Sequence, residues 1–152
     1  MRALVQRVRR GSVSVDGQVR GEIATGLVVL LGATHGDGAS DALWLAARVA
    51  GLRVFADDAG KMNRDVRDAH GGCLVVPQFT LYADARRGRR PNFTAAARPE
   101  LAEPLFEGFC AALAAERVPV ERGVFRAHMQ VELVNDGPVT ILIETPGAAD
   151  AP

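Results

Sequence analysis

The sequence has few of the residues that usually mark a metal or redox site. Its only two cysteines, Cys73 and Cys110, lie far apart in apolar stretches, and none of its three histidines lies close to another. Zinc sites and redox-active dithiols need closely spaced cysteines or histidines, so neither is predicted. We therefore expect two reduced core thiols, no metal and no cofactor.

The sequence also lacks a long apolar segment and an excess of either charge. No stretch reaches the roughly 20 apolar residues that span a bilayer, so we expect a cytoplasmic protein without a membrane partner. Eighteen basic residues balance eighteen acidic ones. Any contact with RNA must therefore come from a local basic patch, because the net charge provides no general attraction.

Three familiar catalytic motifs are missing as well. There is no G-x-S-x-G elbow, no P-loop and no G-x-G-x-x-G segment after a strand. Serine hydrolases of that type, P-loop nucleotidases and dinucleotide-binding enzymes are therefore not indicated.

The apolar pattern predicts strands at both ends of the chain. Residues 2–9 and 12–15 precede Asp16-Gly17, which is typical of a two-residue hairpin. The continuous apolar run 26–33 predicts a central strand that is covered on both faces. Residues 129–133 and 139–144 flank Asn-Asp-Gly-Pro and predict a closing hairpin.

Two helices are predicted between these strands. The first begins at Ser40 as N-cap, ends near Arg53 and places one side toward the core, formed by Leu43, Ala46, Ala47 and Ala50. The second covers residues 99–116, in which Leu101, Leu105, Phe109 and Leu113 recur every four positions. Pro104 either kinks this helix or marks its first turn.

The remaining segments complete a single-domain prediction. Residues 54–71 are predicted as turns with one short strand, residues 73–76 as an apolar strand that ends at Pro77, and residues 82–93 as a loop. We predict an α+β domain over residues 1–145 and a loose tail over 146–152. Its mostly antiparallel sheet is curved or barrel-like, with the two helices packed outside.

Three polar segments interrupt strand ends, at residues 77–81, 88–93 and 135–140. By pattern alone, Gln78 and Thr80 could alternate with Phe79 and Leu81 across a pleated strand. In the same way, Asn-Asp-Gly-Pro could be an ordinary turn.

Two of these segments resemble signatures of one family, the D-aminoacyl-tRNA deacylases. Pro-Gln-Phe-Thr-Leu at residues 77–81 is similar to the family's Ser-Gln-Phe-Thr-Leu, and residues 135–140 match Asn-x-Gly-Pro-x-Thr at every defined position. The likeness runs collinearly from the first strand through Gly-Arg-Arg-Pro-Asn-Phe to Glu144. The resemblance implies the deacylase fold and a homodimeric enzyme of translation proofreading that takes tRNA, not DNA, as its partner.

The resemblance also implies how the enzyme distinguishes chirality. Gly137 and Pro138, joined by a cis peptide bond, would enter the partner subunit's active site, where their carbonyls exclude an L side chain. Esters of D-amino acids and of glycine would then be hydrolysed, while L-aminoacyl-tRNA would be spared.

Catalytic roles follow for the first signature. Backbone N–H groups around Gln78, Phe79 and Thr80 would stabilise the oxyanion, and the terminal 2′-hydroxyl of tRNA would assist. Thr80 is either a nucleophile or a positioning residue, and without a neighbouring base we favour positioning. Phe79 would pack near the terminal adenine, with a place in the core as the alternative.

The arginines that follow the first signature form a candidate tRNA-binding patch. They crowd five positions, and the alternative is a solvated loop without a ligand. They are Arg86, Arg87, Arg89 and Arg90. Arg7 and Met129 also lie in segments that resemble pocket walls of the family, but we rank them below the two signatures.

The sequence departs from the family at three positions. Pro77 replaces the usual serine, and Arg126 and His128 stand where glycine and aspartate are common. A paralogue with relaxed chirality also carries proline at the first of these positions, yet Phe79 and the second signature here keep the deacylase form. We therefore predict a D-specific enzyme, with a relaxed pocket as the alternative.

Two rival functions belong to other classes. The first is a non-catalytic module that binds the RNA end and would protect the ester. The second is a threonine-dependent hydrolase of small esters, which would not need tRNA and would fail when Thr80 is replaced by alanine.

Overall fold

The structure is a computed structural model that describes residues 1–86 and 88–146. The prediction for Arg87 and most of the predicted tail lie outside the described residues. The elements are β1 (Arg2–Val15), β2 (Gln18–Ile23), β3 (Gly26–Gly32), α1 (Ala39–Ala50), β4 (Phe55–Ala56), β5 (Met62–Arg64), β6 (Gly72–Pro77), a 3₁₀ helix (Phe79–Tyr82), α2 (Pro99–Ala115), β7 (Val120–Arg122) and β8 (Gln130–Glu144).

The predicted opening hairpin is confirmed. Val15 pairs with Gln18 across a two-residue loop, in which Asp16 and Gly17 have φ values of 51° and 75°. Positive φ at both central positions defines the type I′ turn, whose twist matches that of the two strands. Residues 2–15 form one continuous strand, longer than either predicted segment.

Strand β1 organises the sheet because it pairs with three others. Strand β8 runs antiparallel along one edge, while β3 and then β2 pair antiparallel with the other edge. Beyond β3, strands β6 and β7 are added in parallel. The α+β prediction is confirmed, with a mixed sheet in which antiparallel pairs predominate.

The sheet curls until its two arms meet. At Gly21 of β2, an added Cβ would lie 3.2 Å from the carbonyl oxygen of Arg122 in β7 and from Leu74 of β6. Such an approach leaves little room for a side chain, so glycine allows the arms to close. The predicted barrel-like curvature is therefore present.

Both faces of the sheet are covered. The larger core lies between the sheet and the two helices, while a smaller one inside the curl contains Val8, Val13, Val28, Leu74 and Val76. Strand β3 contributes to both cores, as its continuous apolar run predicts. No helix among the described residues is long and apolar enough to cross a membrane.

The first helix buries only part of the predicted face: Ala46 and Ala50 are buried, whereas Leu43 and Ala47 are exposed. It begins after Gly38, whose N–H donates to the Asp41 carboxylate at 2.8 Å, so Ser40 is not the N-cap. Leu43 is 60% exposed, whereas Leu45 and Val49 are fully buried. The alanines along α1 fit either face, so their spacing did not fix its orientation.

In the second helix the predicted spacing is confirmed. Leu105, Phe109 and Leu113 are buried, and Pro99 occupies the first turn. Proline is well tolerated there because its missing N–H has no partner within the helix. Pro104 lies inside the helix, on its exposed side.

The predicted closing hairpin is wrong. Strand β8 is one strand that pairs with β1 from Arg2↔Glu144 to Ser14↔Gln130, and the pairing shifts between Gln6↔Thr140 and Val8↔Asn135. Four residues of β8 therefore bulge out opposite a single residue of β1. The turn-forming residues shape this bulge without reversing the chain.

Two further short elements differ from the predictions. Strands β4 and β5 pair with each other, so residues 54–71 contain two short strands where one was expected. Strand β7, parallel to β6, was not predicted, because three residues are too short for a periodicity to show.

Candidate active site

A cleft of about 630 Å³ opens where β3 and β6 end. Its floor is formed by residues 31–33 and 76–79, one wall by residues 93–97 and the start of α2, and the other wall by residues 125–131. This volume is typical of a small-molecule site, and most of the lining is apolar. Pro77, Gln78 and Phe79 of the first signature therefore lie at the floor of this cleft, whereas Thr80 and Leu81 are not among its lining residues.

Residues 79–82 form a 3₁₀ helix, so the alternative of a pleated strand is wrong. The Gln78 N–H donates to the Leu31 carbonyl at 2.7 Å, which ties the segment to β3. The N–H groups of Phe79 and Thr80 have no hydrogen-bond acceptor among the described residues. Two backbone donors are therefore free to bind an oxygen atom, but that of Gln78 is not.

The Thr80 hydroxyl accepts a hydrogen bond from the Gln78 side-chain amide. An amide nitrogen has no lone pair available to take a proton, so this partner cannot act as a base for the hydroxyl. The contact fits the positioning role for Thr80 better than the nucleophilic one.

An aromatic pair stands at the edge of the cleft. Phe79 and Phe93 both line it, with ring centroids 5.2 Å apart and planes at 69°. Phe79 is 57% exposed and Phe93 is 39% exposed. Phe79 is thus not a core residue, and the pair presents apolar surface to a flat ligand.

The arginine-rich loop is held beside this pair. The backbones of Asp84 and Asn92 exchange hydrogen bonds of 2.7 and 2.8 Å, which closes the loop at its base. Arg86 forms a two-pronged ion pair with Asp84, and this pair lowers the pKa of that carboxyl. Arg89 and Arg90 are exposed and form no ion pair with any described residue, whereas Arg87 lies outside the described residues.

The second signature forms a braced loop. Asn135 accepts a hydrogen bond from the Val139 N–H at 3.0 Å and donates one to the Thr140 hydroxyl at 2.9 Å. The Gly137–Pro138 bond is cis, as expected, and Gly137 has a φ of 129°. Asn135, Gly137 and Thr140 of the signature thus shape the 135–140 loop, and Gly137 and Pro138 are exposed at its tip.

Arg7 fastens this loop to the rest of the fold. Its guanidinium donates to the Asp136 carbonyl at 3.0 Å and to the Val54 carbonyl. Arg9 forms an ion pair with the Asp136 carboxylate at 3.1 Å. From the sequence we ranked Arg7 below the two signatures. Its contacts with Asp136 and Val54 become apparent only in the folded structure.

The 135–140 loop does not reach the cleft of its own chain. Neither Gly137 nor Pro138 is among the residues that line the cleft. The two signatures therefore lie on different surfaces of this chain.

The residues that depart from the family pattern lie on the floor and on one wall of the cleft. The Gly123 N–H donates to the Val75 carbonyl at 2.8 Å, and an added Cβ there would lie 3.2 Å from the Pro77 ring. Arg126 and His128 follow on the same segment and line the cleft. All three departures therefore lie in or beside one candidate pocket.

Met1 lines the cleft, although no motif in the sequence indicates it. Its amino group is buried and forms an ion pair with Asp37 at 2.6 Å. It also donates to the Thr145 hydroxyl, which joins the start of β1 to the end of β8. Only the pairing of β1 with β8 could have indicated this contact.

Both cysteines are buried and free, as predicted. Burial raises the pKa of each thiol to about 12. Thiols in this state are poor nucleophiles, so neither is a candidate catalytic group.

Comparison with known proteins supports the likeness found in the two signatures. A family model described as D-Tyr-tRNA(Tyr) deacylase matches residues 4–144. The D-aminoacyl-tRNA deacylase of Chloroflexus aurantiacus is 57% identical over 145 residues, which cover 95% of this chain and 91% of that protein. The D-aminoacyl-tRNA deacylase of Symbiobacterium thermophilum is 58% identical over 145 residues, which cover 95% and 96%.

Solved structures agree in fold. A protein described as c-Myc DNA Unwinding Element Binding Protein superposes with a TM-score of 0.90 at 38% identity, covering 97% of this chain and 100% of that one. A probable eukaryotic D-amino acid tRNA deacylase superposes with a TM-score of 0.82, covering 93% and 97%. At 14% identity, this second likeness concerns the fold alone.

Proposed function

Since this chain belongs to the D-Tyr-tRNA(Tyr) deacylase family, we propose that it hydrolyses the ester between tRNA and a D-amino acid or glycine and spares L-aminoacyl-tRNA. The observation that carries the proposal is the pair of free N–H groups at Phe79, which lines the floor of an apolar cleft, and at Thr80, the next residue along the chain. The substrate also implies a cytoplasmic location, where tRNA is charged.

The cleft suits the end of an aminoacylated RNA. Its volume of about 630 Å³ accommodates a nucleoside with a small acyl group. Phe79 and Phe93 present exposed ring surface at its edge, and a base that stacks on such a ring gains about 1–3 kcal/mol. We therefore assign the terminal adenine to the Phe79 side of the cleft.

Hydrolysis needs a water molecule and a stabilised oxyanion. Water attacks the ester carbonyl, and the N–H groups of Phe79 and Thr80 stabilise the negative oxygen that forms. The carbon–oxygen bond to the ribose then breaks, the ribose oxygen takes up a proton and the amino acid leaves. The neighbouring 2′-hydroxyl of the tRNA assists proton transfer, in place of a base that Thr80 does not contact.

We propose that chirality is filtered by the 135–140 loop of a second subunit. Gly137 and Pro138 are exposed and do not line their own cleft, so they reach an active site only in another copy of the chain. The bracing by Arg7 and Asn135 fixes the backbone that would collide with an L side chain. Exclusion by a fixed backbone needs no chemical group in the filter.

A free sheet edge supports the proposed homodimer. Strand β8 pairs with β1 on one side and with no described strand on the other. Its exposed side chains include Val131, Val134 and Leu142. A long edge strand with exposed apolar side chains is favourable for association with a second copy.

The decisive experiment compares three esters under one condition. Purified protein is incubated with D-Tyr-tRNA, L-Tyr-tRNA and Gly-tRNA in the presence of a chelator, and the loss of each ester is followed. We expect rapid loss of the D and Gly esters, with the L ester spared. Equal loss of D and L esters would overturn the chiral filter, and protection of all three would favour an RNA-end binding module.

A single substitution separates the proposal from a threonine-dependent hydrolase. Replacing Thr80 with alanine removes the hydroxyl but leaves the backbone N–H in place. We expect this variant to keep at least about a tenth of the parent rate, because it loses one exposed hydrogen bond, which is worth about 0.5–1.5 kcal/mol. Complete loss, together with hydrolysis of small esters by the parent protein, would support the rival.

A further inference from the structure

The ionisable side chains found in the cleft lining are both basic. Among the described residues that line it, Arg126 and His128 are the only ones with ionisable side chains, and both are bases. The Met1 amino group is already neutralised by Asp37. The wall formed by residues 125–131 therefore favours an anionic group.

Neither basic side chain contributes an ion pair or a hydrogen bond to the described part of the fold. Arg126 and His128 form no ion pair and no side-chain hydrogen bond with any described residue, and both are exposed. Arg86 and Arg9, by contrast, are held by Asp84 and Asp136. The donors of Arg126 and His128 are thus available to a ligand.

The backbone beneath them is well anchored. The Val124 N–H donates to the Met129 sulfur at 3.3 Å, and the Phe125 ring packs 6.2 Å from that of Phe106. Arg126 itself has a φ of +63°, a conformation that glycine adopts more easily. The segment therefore presents a long basic side chain from a fixed turn at which glycine would be less strained.

We propose that Arg126 and His128 bind the phosphodiester that joins the last two nucleotides of the RNA substrate, an inference that rests on the proposed function. With the terminal adenosine in the cleft, this phosphate is the nearest anion that the substrate offers. A guanidinium binds two phosphate oxygens at once, and a histidine adds a third donor. The ammonium group of the amino acid is repelled by the same wall, which directs the ester toward Phe79 and Thr80.

The test compares a substrate that carries this phosphate with one that lacks it. D-Tyr-tRNA and the D-tyrosyl ester of adenosine are hydrolysed by the parent protein and by Arg126→Gln, Arg126→Lys and His128→Gln. Glutamine keeps an unbranched polar side chain, although a shorter one, and the backbone strain of Arg126 but removes the charge. Arg20→Gln is the matched control, since Arg20 is exposed on β2 and does not line the cleft.

We expect Arg126→Gln to raise the KM for D-Tyr-tRNA about tenfold, with kcat changed less than twofold. The KM for the adenosine ester should change less than twofold. Arg126→Lys should recover part of the loss, and His128→Gln should show a smaller loss of the same kind. The slope of log kcat/KM against log salt for the tRNA ester should fall by about one in Arg126→Gln.

Two results would overturn the inference. An equal rise in KM for both substrates would show that Arg126 acts on the shape of the cleft and not on a phosphate. Unchanged kinetics in both Arg126→Gln and His128→Gln would show that the basic wall binds nothing. A parent protein that hydrolyses neither ester would instead refute the proposed function, so the two failures are distinguishable.

Discussion

Replacing Arg7 with methionine should lower the free energy of unfolding by about 2–4 kcal/mol. The guanidinium donates to the carbonyls of Asp136 and Val54, and the Arg7 side chain is only 15% exposed. A carbonyl that loses its donor in a largely buried position costs about 1–3 kcal/mol, and two are affected. The estimate lies below the sum of the two maxima because water reaches part of this site.

Arg9 provides a matched control on the same strand. It contacts the carboxylate of the same Asp136, but its side chain is 74% exposed. An exposed ion pair contributes about 0–1 kcal/mol, so Arg9→Met should change stability little. Both variants lose one positive charge. Only Arg7→Met also removes the hydrogen bonds to the Asp136 and Val54 carbonyls.

Urea unfolding followed by circular dichroism measures the difference directly. For a chain of this length, 1 kcal/mol corresponds to about 2–4 °C in Tm, so Arg7→Met should melt at least about 4 °C below the parent protein. Deacylation should lose selectivity for D over L esters in the same variant, because the 135–140 loop is no longer fastened. Equal unfolding midpoints for Arg7→Met and Arg9→Met would refute this account of the loop.

Three further predictions concern glycine, aromatic and cysteine residues. Gly137→Ala should reduce kcat/KM for D-Tyr-tRNA at least about tenfold, because its Cβ would lie 2.9 Å from the Arg7 guanidinium and φ is +129°. Gly108 lies on α2, where an added Cβ would meet open space. Gly108→Ala should therefore keep the parent kinetics and raise the free energy of unfolding by about 0.5–1 kcal/mol. Phe79→Leu should raise KM severalfold at unchanged Tm, since the ring is largely exposed, and an unchanged KM would remove it from the binding site. The Cys73 and Cys110 thiols, with pKa raised to about 12, should resist a thiol reagent at pH 8 in the folded protein, and rapid labelling would contradict their burial. In the unfolded chain the thiols ionise at about pH 8.5, the usual value for cysteine. The raised pKa in the folded protein therefore contributes stability that is complete below about pH 8.5 and is lost as the pH rises toward 12. Urea unfolding at a series of pH values measures this loss.

Much of the fold could be predicted because periodicity reports burial directly. The four-residue spacing of Leu105, Phe109 and Leu113 identified α2, and the apolar run in β3 identified a strand covered on both faces. The face of α1 could not be fixed in this way. Its many alanines carry little hydrophobic contrast, so the packing against α2 decided which side is buried.

The 135–140 loop shows why residue type alone was misleading. Asn135, Asp136, Gly137 and Pro138 all favour turns, and the sequence therefore predicted a reversal of the chain. The structure uses the same preferences for a bulge, since β1 extends past both ends of the loop and holds β8 in line. A local pattern cannot report a partner strand that is distant in sequence.

The candidate site was predicted through resemblance more than through pattern. The signatures identified Gln78, Phe79 and Thr80, but the capture of the Gln78 N–H by Leu31 depends on the pairing of β3 with β6. The contacts of Arg7 and Met1 likewise depend on tertiary structure. Single residues with an ordinary local context carry no signal until their neighbours are known.

The pairing of β1 with β8 also determines when the molecule can become functional during synthesis. Strand β1 finds its longest partner more than a hundred positions later, so its outer edge stays unpaired during synthesis until residues 130–144 emerge. Contacts this distant in sequence slow folding and leave an open edge to nascent neighbours. The loop that Arg7 fastens is thus among the last parts to form, and an incompletely synthesised chain would possess the cleft floor but neither the loop nor the free β8 edge.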